Sequence, residues 1–373
     1  MNKNRSALAV ILLAALTIAA GKPKDSELWL DPVAAGAQGA EGFQFVRADR
    51  TGNVFLFRSD RGEVSPLLKN GELGEVVRLK VANAPLGFVV HAALSPDGSQ
   101  WLFYAEGKLR LFLDGKEKPL PPIDWQPWAV GFLRDTPLAV VMPRPLPSAT
   151  LRLQDLGVAP WLVRFDNDRW SAWLSHPDLD AETAWRERSR MNAWVAEYSS
   201  LISPARDGKL WMASEYAYAL RRLSPSGKTL SEVTVAKSKG EESPIRITPR
   251  GDAAAAVKRM EAQGGSASFH EFKEQAVIAD LAEKSGFVYL LVHAPGSKLA
   301  LDRYDPAQER LDRIPLAVRD SGRFTLACGK DGLYIASITP AEGVWRASWS
   351  ALDSAEWKPV KGAKLPGGSA EAN

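Results

Sequence analysis

The segment HEFKE, residues 270–274, combines an imidazole with two carboxylates at a spacing that shares one face of a helix. A zinc site of the HExxH type needs a second histidine where Glu274 stands. The pattern therefore favours a solvated helix face over a metal site. We expect no metal and no cofactor, and His270 is kept as a candidate ligand-binding residue only.

Motifs that carry a catalytic nucleophile or cradle a phosphate do not occur in the sequence. There is no GxSxG elbow, no P-loop and no GxGxxG. His91, His176 and His293 lie in different parts of the chain, so a triad would have to be assembled from distant segments. The single cysteine, Cys328, excludes an intrachain disulfide and is typical of a small buried hydrophobe. No catalytic residue is assigned.

Aromatic residues give a second indication of a binding surface. Two tryptophans in PPIDWQPW and two tyrosines in SEYAY can stack on a flat apolar ring or a sugar ring, and nearby charged groups can supply hydrogen bonds. The alternative is that each tryptophan is wedged between structural elements. The candidate ligand-binding residues are Asp124, Trp125, Trp128, Arg186, Glu215, Tyr216, Tyr218 and His270.

The elements that position these residues recur along the chain. Residues 206–228, RDGKLWMASEYAYALRRLSPSGK, contain two strand-length runs bounded by polar turns, and the surrounding sequence completes a unit of four runs. Six such units can be traced. Their first turns fall at Gly52, Gly98, Thr136, Gly208, Gly286 and Gly332. The spacings are 46, 38, 72, 78 and 46 residues, and the short ones are typical of one four-stranded propeller blade.

The sequence thus predicts an all-β fold, a six-bladed β-propeller with four-stranded antiparallel blades. Sheets stacked face to face around an axis bury both faces, which accounts for unbroken apolar runs such as VYLLV and WLFY. Residues 26–31, SELWLD, are the expected strand that closes the ring. The structural alternative is a series of separate sandwich domains.

The motifs DGKLWMAS, residues 207–214, and DGLYIAS, residues 331–337, resemble the NHL-type six-bladed propeller superfamily. That superfamily includes streptogramin lyase-like and gluconolactonase-like proteins, and the resemblance covers residues 42–362. It implies a blade and not a reaction, because one fold serves many functions.

Two departures from the family patterns argue against transferring an activity. The lyase-like pattern WFTE places an acidic residue where this chain has Ser214 and Ser337, and Glu215 comes one position later. The gluconolactonase-like pattern opens on an EGP-like segment, which Glu41 and Gly42 match only in part.

Three insertions interrupt the repeat, at residues 143–160, 174–197 and 237–275. In such a meander all three belong to connections on one face, so we expect a cover over the channel mouth there. Residues 174–197 have apolar residues at near-helical spacing and predict a helix capped by Asp178 or Asp180. The third insertion predicts a short helix followed by a Gly/Ser turn.

The domain organisation predicted is a signal peptide at residues 1–20, the propeller at 26–361 and a disordered tail at 362–373. The net charge of the whole chain is +3. The signal peptide contains Lys3 and Arg5, so without it 45 of the 47 basic residues remain against 44 acidic residues, and the net charge is +1. This balance argues against nucleic-acid binding. Export without disulfides favours a bacterial periplasm, with an uncleaved anchor as the alternative.

Two functions remain open. The first is an exported binding scaffold of the bacterial cell envelope whose partner is a small molecule, a glycan, a peptide or an envelope protein, with no stable membrane span after signal cleavage. The second is a channel-mouth enzyme, either a lyase or a metal-dependent lactonase-like hydrolase.

Overall fold

The structure is a computed structural model, and it describes most of the chain. The described residues are 27–33, 43–58, 61–79, 86, 89–145, 157–187, 198–205, 207–235, 245–247, 269–271, 276–294, 298–319, 323–337 and 343–366.

The predicted six-bladed β-propeller is confirmed. Each blade is an antiparallel meander, and after β1 (Asp31–Pro32) the strands follow one another in chain order. Blade 1 contains β2 (Phe45–Ala48), β3 (Val54–Arg58), β4 (Glu63–Leu67) and β5 (Val77–Arg78). Blade 2 contains β6 (Val89–Leu94), β7 (Gln100–Ala105), β8 (Lys108–Leu113) and β9 (Lys116–Lys118). Blade 3 contains β10 (Trp125–Leu133), β11 (Thr136–Pro145), β12 (Val158–Asp166) and β13 (Arg169–Asp180).

The second half of the ring follows the same order, interrupted by one hairpin. Blade 4 contains β14 (Ser200–Pro204), β15 (Leu210–Ser214), β16 (Ala219–Leu223) and β17 (Thr229–Val235). The hairpin is β18 (Ile245–Ile247) and β19 (Phe269–Glu271). Blade 5 contains β20 (Val277–Lys284), β21 (Phe287–Ala294), β22 (Lys298–Asp305) and β23 (Arg310–Arg319). Blade 6 contains β24 (Phe324–Cys328), β25 (Gly332–Ser337) and β26 (Val344–Ser348).

The N-terminal strand closes the ring. β1 pairs with β26 and supplies the fourth strand of blade 6, and Leu28 forms an isolated parallel bridge to Leu316. The prediction that the SELWLD segment pairs with the other end of the chain is therefore confirmed. The inner strands β2, β6, β10, β14, β20 and β24 contact one another in this cyclic order, so they surround a common axis.

The C-terminal segment differs from the expectation. Residues 356–362 are expected to form the last strand of blade 6, but β1 already occupies that edge. Instead β27 (Lys358–Pro359) pairs with the outer strand of blade 5, and β28 (Ala363–Lys364) pairs with the outer strand of blade 4. The disordered tail predicted from residue 362 is therefore wrong for β28. The segment covers two sheet edges that would otherwise be open.

Glycine fixes the first turn of the blades. In blade 1 the Gly52 amide donates to the Asp49 carbonyl at 2.9 Å, and Gly52 has φ +81. A Cβ on Gly52 would lie 2.9 Å from the backbone nitrogen of Lys330, which donates to the Gly52 carbonyl at 3.0 Å. Gly52 is therefore required both by its positive φ and by the close approach of blade 6.

Burial follows the stacking of the sheets. Every residue of β15 (LWMAS) and of β25 (GLYIAS) is buried, because each strand is covered by neighbours on both faces. The largest core clusters join blades 3, 4 and 5, and blades 5 and 6. Each fully buried large apolar side chain contributes about 1.5–3 kcal/mol, so the inter-blade contacts carry much of the fold's stability.

One described helix lies in the insertion at residues 174–197. β13 continues to Asp180, and a short helix, α1 (Ala181–Arg186), follows, capped by the Asp180 side chain, which accepts from the Thr183 amide at 2.7 Å. The predicted cap at Asp180 and a helix after it are confirmed, and the residues before the cap belong to β13, which pairs there with β12. The short helix predicted in residues 237–275 lies outside the described residues. The second described helix, α2 (Trp349–Ser354), follows β26.

Candidate functional site

β-Bulges redirect polar side chains on two inner strands. The register of β6 shifts between Val89 and His91, and that of β20 shifts between Ile278 and Asp280. A bulge turns the strand and re-aims the next side chain, which in both strands is a polar residue that is less than one-tenth exposed. His91 and Asp280 both line a cavity on the propeller axis.

This axial cavity has a volume of about 780 Å³ and is lined by residues of all six inner strands. Its walls include apolar side chains, among them Val130, Ile202, Leu281 and Leu326. Its rim is formed by the first turns of blades 1 to 4. In a meander the first turn lies at the opposite face from the second connection and from the link to the next blade. The axial cavity therefore opens away from the face at which the insertions begin and end, and not at the mouth where we expected a ligand.

An ion pair closes the inner end of the axial cavity. Arg47 Nη1 donates to Asp280 Oδ2 at 2.8 Å, and the two residues are 233 positions apart. The same Oδ2 accepts from the Leu326 amide at 2.8 Å, and Oδ1 accepts from the Leu281 amide at 2.9 Å. Arg47 Nε also donates to the Ala92 carbonyl at 2.7 Å. The buried charges are thus paired and hydrogen-bonded, which is what their burial requires.

His91 lies beside this pair. Its Nδ1 accepts from the Val130 amide at 3.3 Å, so the proton of the neutral ring is on Nε2. Burial, and then the charges of Arg47 and Arg323, hold the pKa of His91 well below its ordinary value. The imidazole is therefore neutral at physiological pH, with a fixed tautomer.

Three acidic residues at the rim already have partners. Asp49, Asp97 and Asp207 each accept hydrogen bonds from residues of their own first turn. The Ser95 hydroxyl holds the pKa of Asp97 below its ordinary value. These carboxylates build the turns, while Arg134 remains exposed at the rim.

A second group of functional candidates lies at the other end of the channel. Glu215 directly follows β15, in the second connection of blade 4, and is 8% exposed. Its Oε1 accepts from the Trp128 indole at 2.5 Å. Its backbone nitrogen donates to the Ser199 carbonyl, and its carbonyl accepts from the Ile278 amide, both at 3.1 Å. The Glu215 side chain is thereby fixed between blades 3, 4 and 5.

Burial raises the pKa of Glu215 to about 7. The indole of Trp128 and the charges of Arg323 and His293 lower it, and Asp280 raises it, but burial outweighs them. Glu215 is therefore partly protonated at neutral pH, the condition in which a carboxyl can exchange a proton with a bound molecule.

The two tyrosines of SEYAY have different surroundings. Burial, followed by the charge of Glu215, raises the pKa of Tyr216 to about 12, so its hydroxyl stays protonated beside that carboxyl. Tyr218 is 3% exposed, and its hydroxyl donates to Asp302, which Arg313 also holds with two hydrogen bonds of 2.6 and 2.8 Å. Tyr218 is a buried contact between blades 4 and 5, so it does not lie on an open face.

The remaining candidates are separate from both ends of the channel. Asp124 and Trp125 line a groove of about 480 Å³ formed by the segment before β10 and by strands of blade 3, together with Arg169 and Trp170. Arg186 is exposed on α1. His270 lies on β19, which pairs with β18, so the helical face predicted for HEFKE is wrong over Phe269–Glu271.

The structure therefore brings together three of the eight candidates, Trp128, Glu215 and Tyr216. Within the described residues no group of three or more His, Cys, Asp or Glu side chains is placed to hold a metal ion. None of the described helices has the length and apolar character needed to cross a membrane.

Solved structures share the propeller fold at low sequence identity. A streptogramin B lyase aligns over 92% of this chain and 99% of its own, with 11% identity and a TM-score of 0.45. Virginiamycin B lyase from Staphylococcus aureus aligns over 86% and 98%, with 14% identity and a TM-score of 0.42. The PQQ-bound aldose sugar dehydrogenase from Streptomyces coelicolor aligns over 84% and 95%, with 14% identity and a TM-score of 0.44. All three TM-scores are below 0.5, and no role for this chain follows from these likenesses. A search of protein families and of curated proteins finds no match to this sequence.

Sequence reasoning missed Arg47 and Asp280. One signal was present: FVRA in β2 and VIAD in β20 each place a charged residue in the first run of a repeat unit, where apolar or small residues are expected. Because an inner strand lies next to the axis, a charge there indicates a channel-lining residue or a buried ion pair.

Proposed function

We propose that this protein is an exported binding propeller of the bacterial envelope that holds a small molecule in its axial cavity. The observation that carries the proposal is the cavity itself, which has a volume of about 780 Å³, apolar residues on several inner strands, charged residues at its rim, and the fixed polar groups of Arg47, His91 and Asp280. Ligand sites in proteins have this size, about 300–1,000 Å³.

Export is inferred from the N-terminal sequence alone. A basic start, an apolar run and small residues before GKPKDSE are typical of a secretory signal. Expression of the full chain in a bacterium, followed by fractionation and N-terminal sequencing, tests this part. Recovery of the intact chain in the cytoplasm would contradict it.

Binding in the axial cavity is tested by blocking the cavity. Ser203 is a partly exposed residue of β14 that lines it, so Ser203→Trp should fill part of the space. Ser231→Trp makes the same exchange on the outer strand of the same blade and is the matched control. Small carboxylates, amides, amines and sugars are screened for those that raise the melting temperature of the wild type, because ligands stabilise the state they bind. We expect such a compound to raise the melting temperature of Ser231→Trp as well, but not that of Ser203→Trp.

A second candidate function, an acid–base enzyme, is favoured by Glu215. A buried carboxyl with a raised pKa beside a tyrosine and a histidine is a common feature of catalytic sites. Incubation of the wild type and of Glu215→Gln with lactones (cyclic esters), followed by measurement of ring opening, tests this candidate. Turnover that survives the substitution would refute a role for this carboxyl.

A further inference from the structure

We propose that the inner end of the axial cavity binds the carboxylate of a small ligand with an apolar body, through Arg47 and His91. This inference rests on the proposed function, because it names the chemical class of the molecule that the axial cavity holds.

Arg47 offers one donor. Its Nε and Nη1 are used by the Ala92 and Val46 carbonyls and by Asp280, whereas Nη2 has no hydrogen-bond partner in the described part of the chain. Arg47 is held at three points, so Nη2 has a fixed direction. A guanidinium N–H donates strongly to a carboxylate, and a fixed donor loses little freedom when it binds.

His91 offers the second donor. Because Nδ1 accepts from Val130, Nε2 carries the proton, and Nε2 has no hydrogen-bond partner among the described residues. The side chain is 6% exposed. Nε2 is not one of the buried polar atoms that lack a partner, so it is accessible and an acceptor supplied by a ligand can bond to it.

Two arginines act on His91. Arg47 and Arg323 are the two charges that act on His91, and both are positive. The carboxylate of Asp280 already accepts from Arg47 and from the amides of Leu281 and Leu326. Asp280 is therefore already held by three donors, and Arg47 Nη2 and His91 Nε2 are the donors left for a ligand carboxylate.

The walls define the rest of the ligand. Val130, Ile202, Leu281 and Leu326 are apolar and lie on four different inner strands around the axis. A ligand that fills this space removes apolar surface from water on several sides, so an aliphatic or aromatic body fits better than a hydrated one.

Isothermal titration calorimetry with three matched probes tests the inference. Phenylacetate, phenylacetamide and phenethylamine share a ring and differ in the charge of the end group. We expect phenylacetate to bind the wild type at least about tenfold more tightly than phenylacetamide, because hydrogen bonds to a charged group are about twice as strong. Tighter binding of phenethylamine, or equal binding of the acid and the amide, would overturn the inference. If inorganic phosphate binds as tightly as phenylacetate, the inference that the ligand has an apolar body is overturned.

His91→Asn separates the head-group contact from general packing. The asparagine Oδ1 can still accept from Val130, but the Nε2 donor is lost. We expect phenylacetate to bind about tenfold more weakly while phenylacetamide changes by less than about twofold. Lys361→Gln, which removes an exposed cation outside the axial cavity, is the matched control and should leave the preference for phenylacetate intact. If His91→Asn does not fold, the selectivity of the wild type among the three probes still decides the question.

The outcomes also distinguish this inference from the proposed function. If the amide or the amine binds and Ser203→Trp removes that binding, while phenylacetate binds no more tightly, the carboxylate site is refuted and the axial cavity remains a ligand site. If Ser203→Trp changes the binding of none of the probes, or none binds, both are refuted.

Discussion

Glu215 makes the stability of this protein depend on pH in a direction that can be worked out in advance. The ordinary pKa of a glutamate is 4.5, and burial raises the pKa of Glu215 to about 7 in the folded protein. Between these values the folded state keeps a proton that the unfolded state has lost. The free energy of unfolding therefore contains a contribution that is complete below pH 4.5 and is lost as pH rises through about 7.

The size of the effect follows from the difference in pKa. A difference of about 2.5 corresponds to about 3 kcal/mol, of which about 2.5 kcal/mol falls between pH 5 and pH 8. Glu215→Gln removes the titration but keeps an oxygen that can accept from Trp128. We therefore expect the wild type to lose about 2.5 kcal/mol relative to Glu215→Gln between these two pH values. Other groups, such as His91, titrate in both proteins and cancel in this difference.

Urea unfolding followed by tryptophan fluorescence at pH 5, 6, 7 and 8 measures the difference, with the free energy obtained by linear extrapolation. Glu356→Gln removes an exposed carboxyl and is the control, and its curve should run parallel to that of the wild type. Parallel curves for the wild type and Glu215→Gln would mean that Glu215 is not buried in the folded state as described, and the argument from burial would fail.

Three further predictions concern stability, each measured by urea unfolding. Tyr218→Phe should cost about 1–3 kcal/mol, because it removes a hydrogen bond to the fully buried Asp302; no loss would mean that the bond is unimportant. Gly52→Ala should lower the free energy of unfolding more than Gly107→Ala does. Both glycines have a positive φ, but of the two only Gly52 has a backbone atom within 3 Å of the added Cβ. Equal losses of stability would contradict the close contact. Truncation after Ala355 should cost about 2–4 kcal/mol, because it removes β27, β28 and Trp357, whose ring centre lies 4.3 Å from the Arg303 guanidinium. It should also speed hydrogen exchange in β17 and β23, and unchanged exchange in these strands would refute the protection of their edges.

The fold was predictable because its signals are local. Gly52, Gly98 and Gly208 have a positive φ in the first turns of blades 1, 2 and 4, and the strand runs between the turns are short and apolar. A local signal repeated six times constrains the architecture even where single boundaries are wrong. Where pairing partners lie far apart, the sequence misled: residues 356–362 were expected in blade 6, but β27 pairs with blade 5 and β28 with blade 4.

The site was harder to predict because ring closure assembles it. Arg47 and Asp280 belong to blades 1 and 5, and no spacing in the sequence relates them. Glu215 could be proposed because it follows an expected strand end, but its burial depends on Trp128 from another blade. Tyr218 was expected to contribute to a binding surface, yet Asp302 and Arg313, more than eighty positions away, hold it in the interior.

The same dependence on closure bears on how the axial cavity works. Arg47 bonds to its own strand, to β6 and to β20, so its position is determined by three blades at once. β20 is in turn bonded to β24 through Asp280, and β10 to β6 through His91. A ligand that reaches Arg47 and His91 would therefore meet donors fixed by the ring itself, with little ordering left to occur on binding. It follows that ligand affinity and ring stability are linked: a variant that loosens closure, such as one lacking β1, should weaken binding even though β1 does not touch the axial cavity.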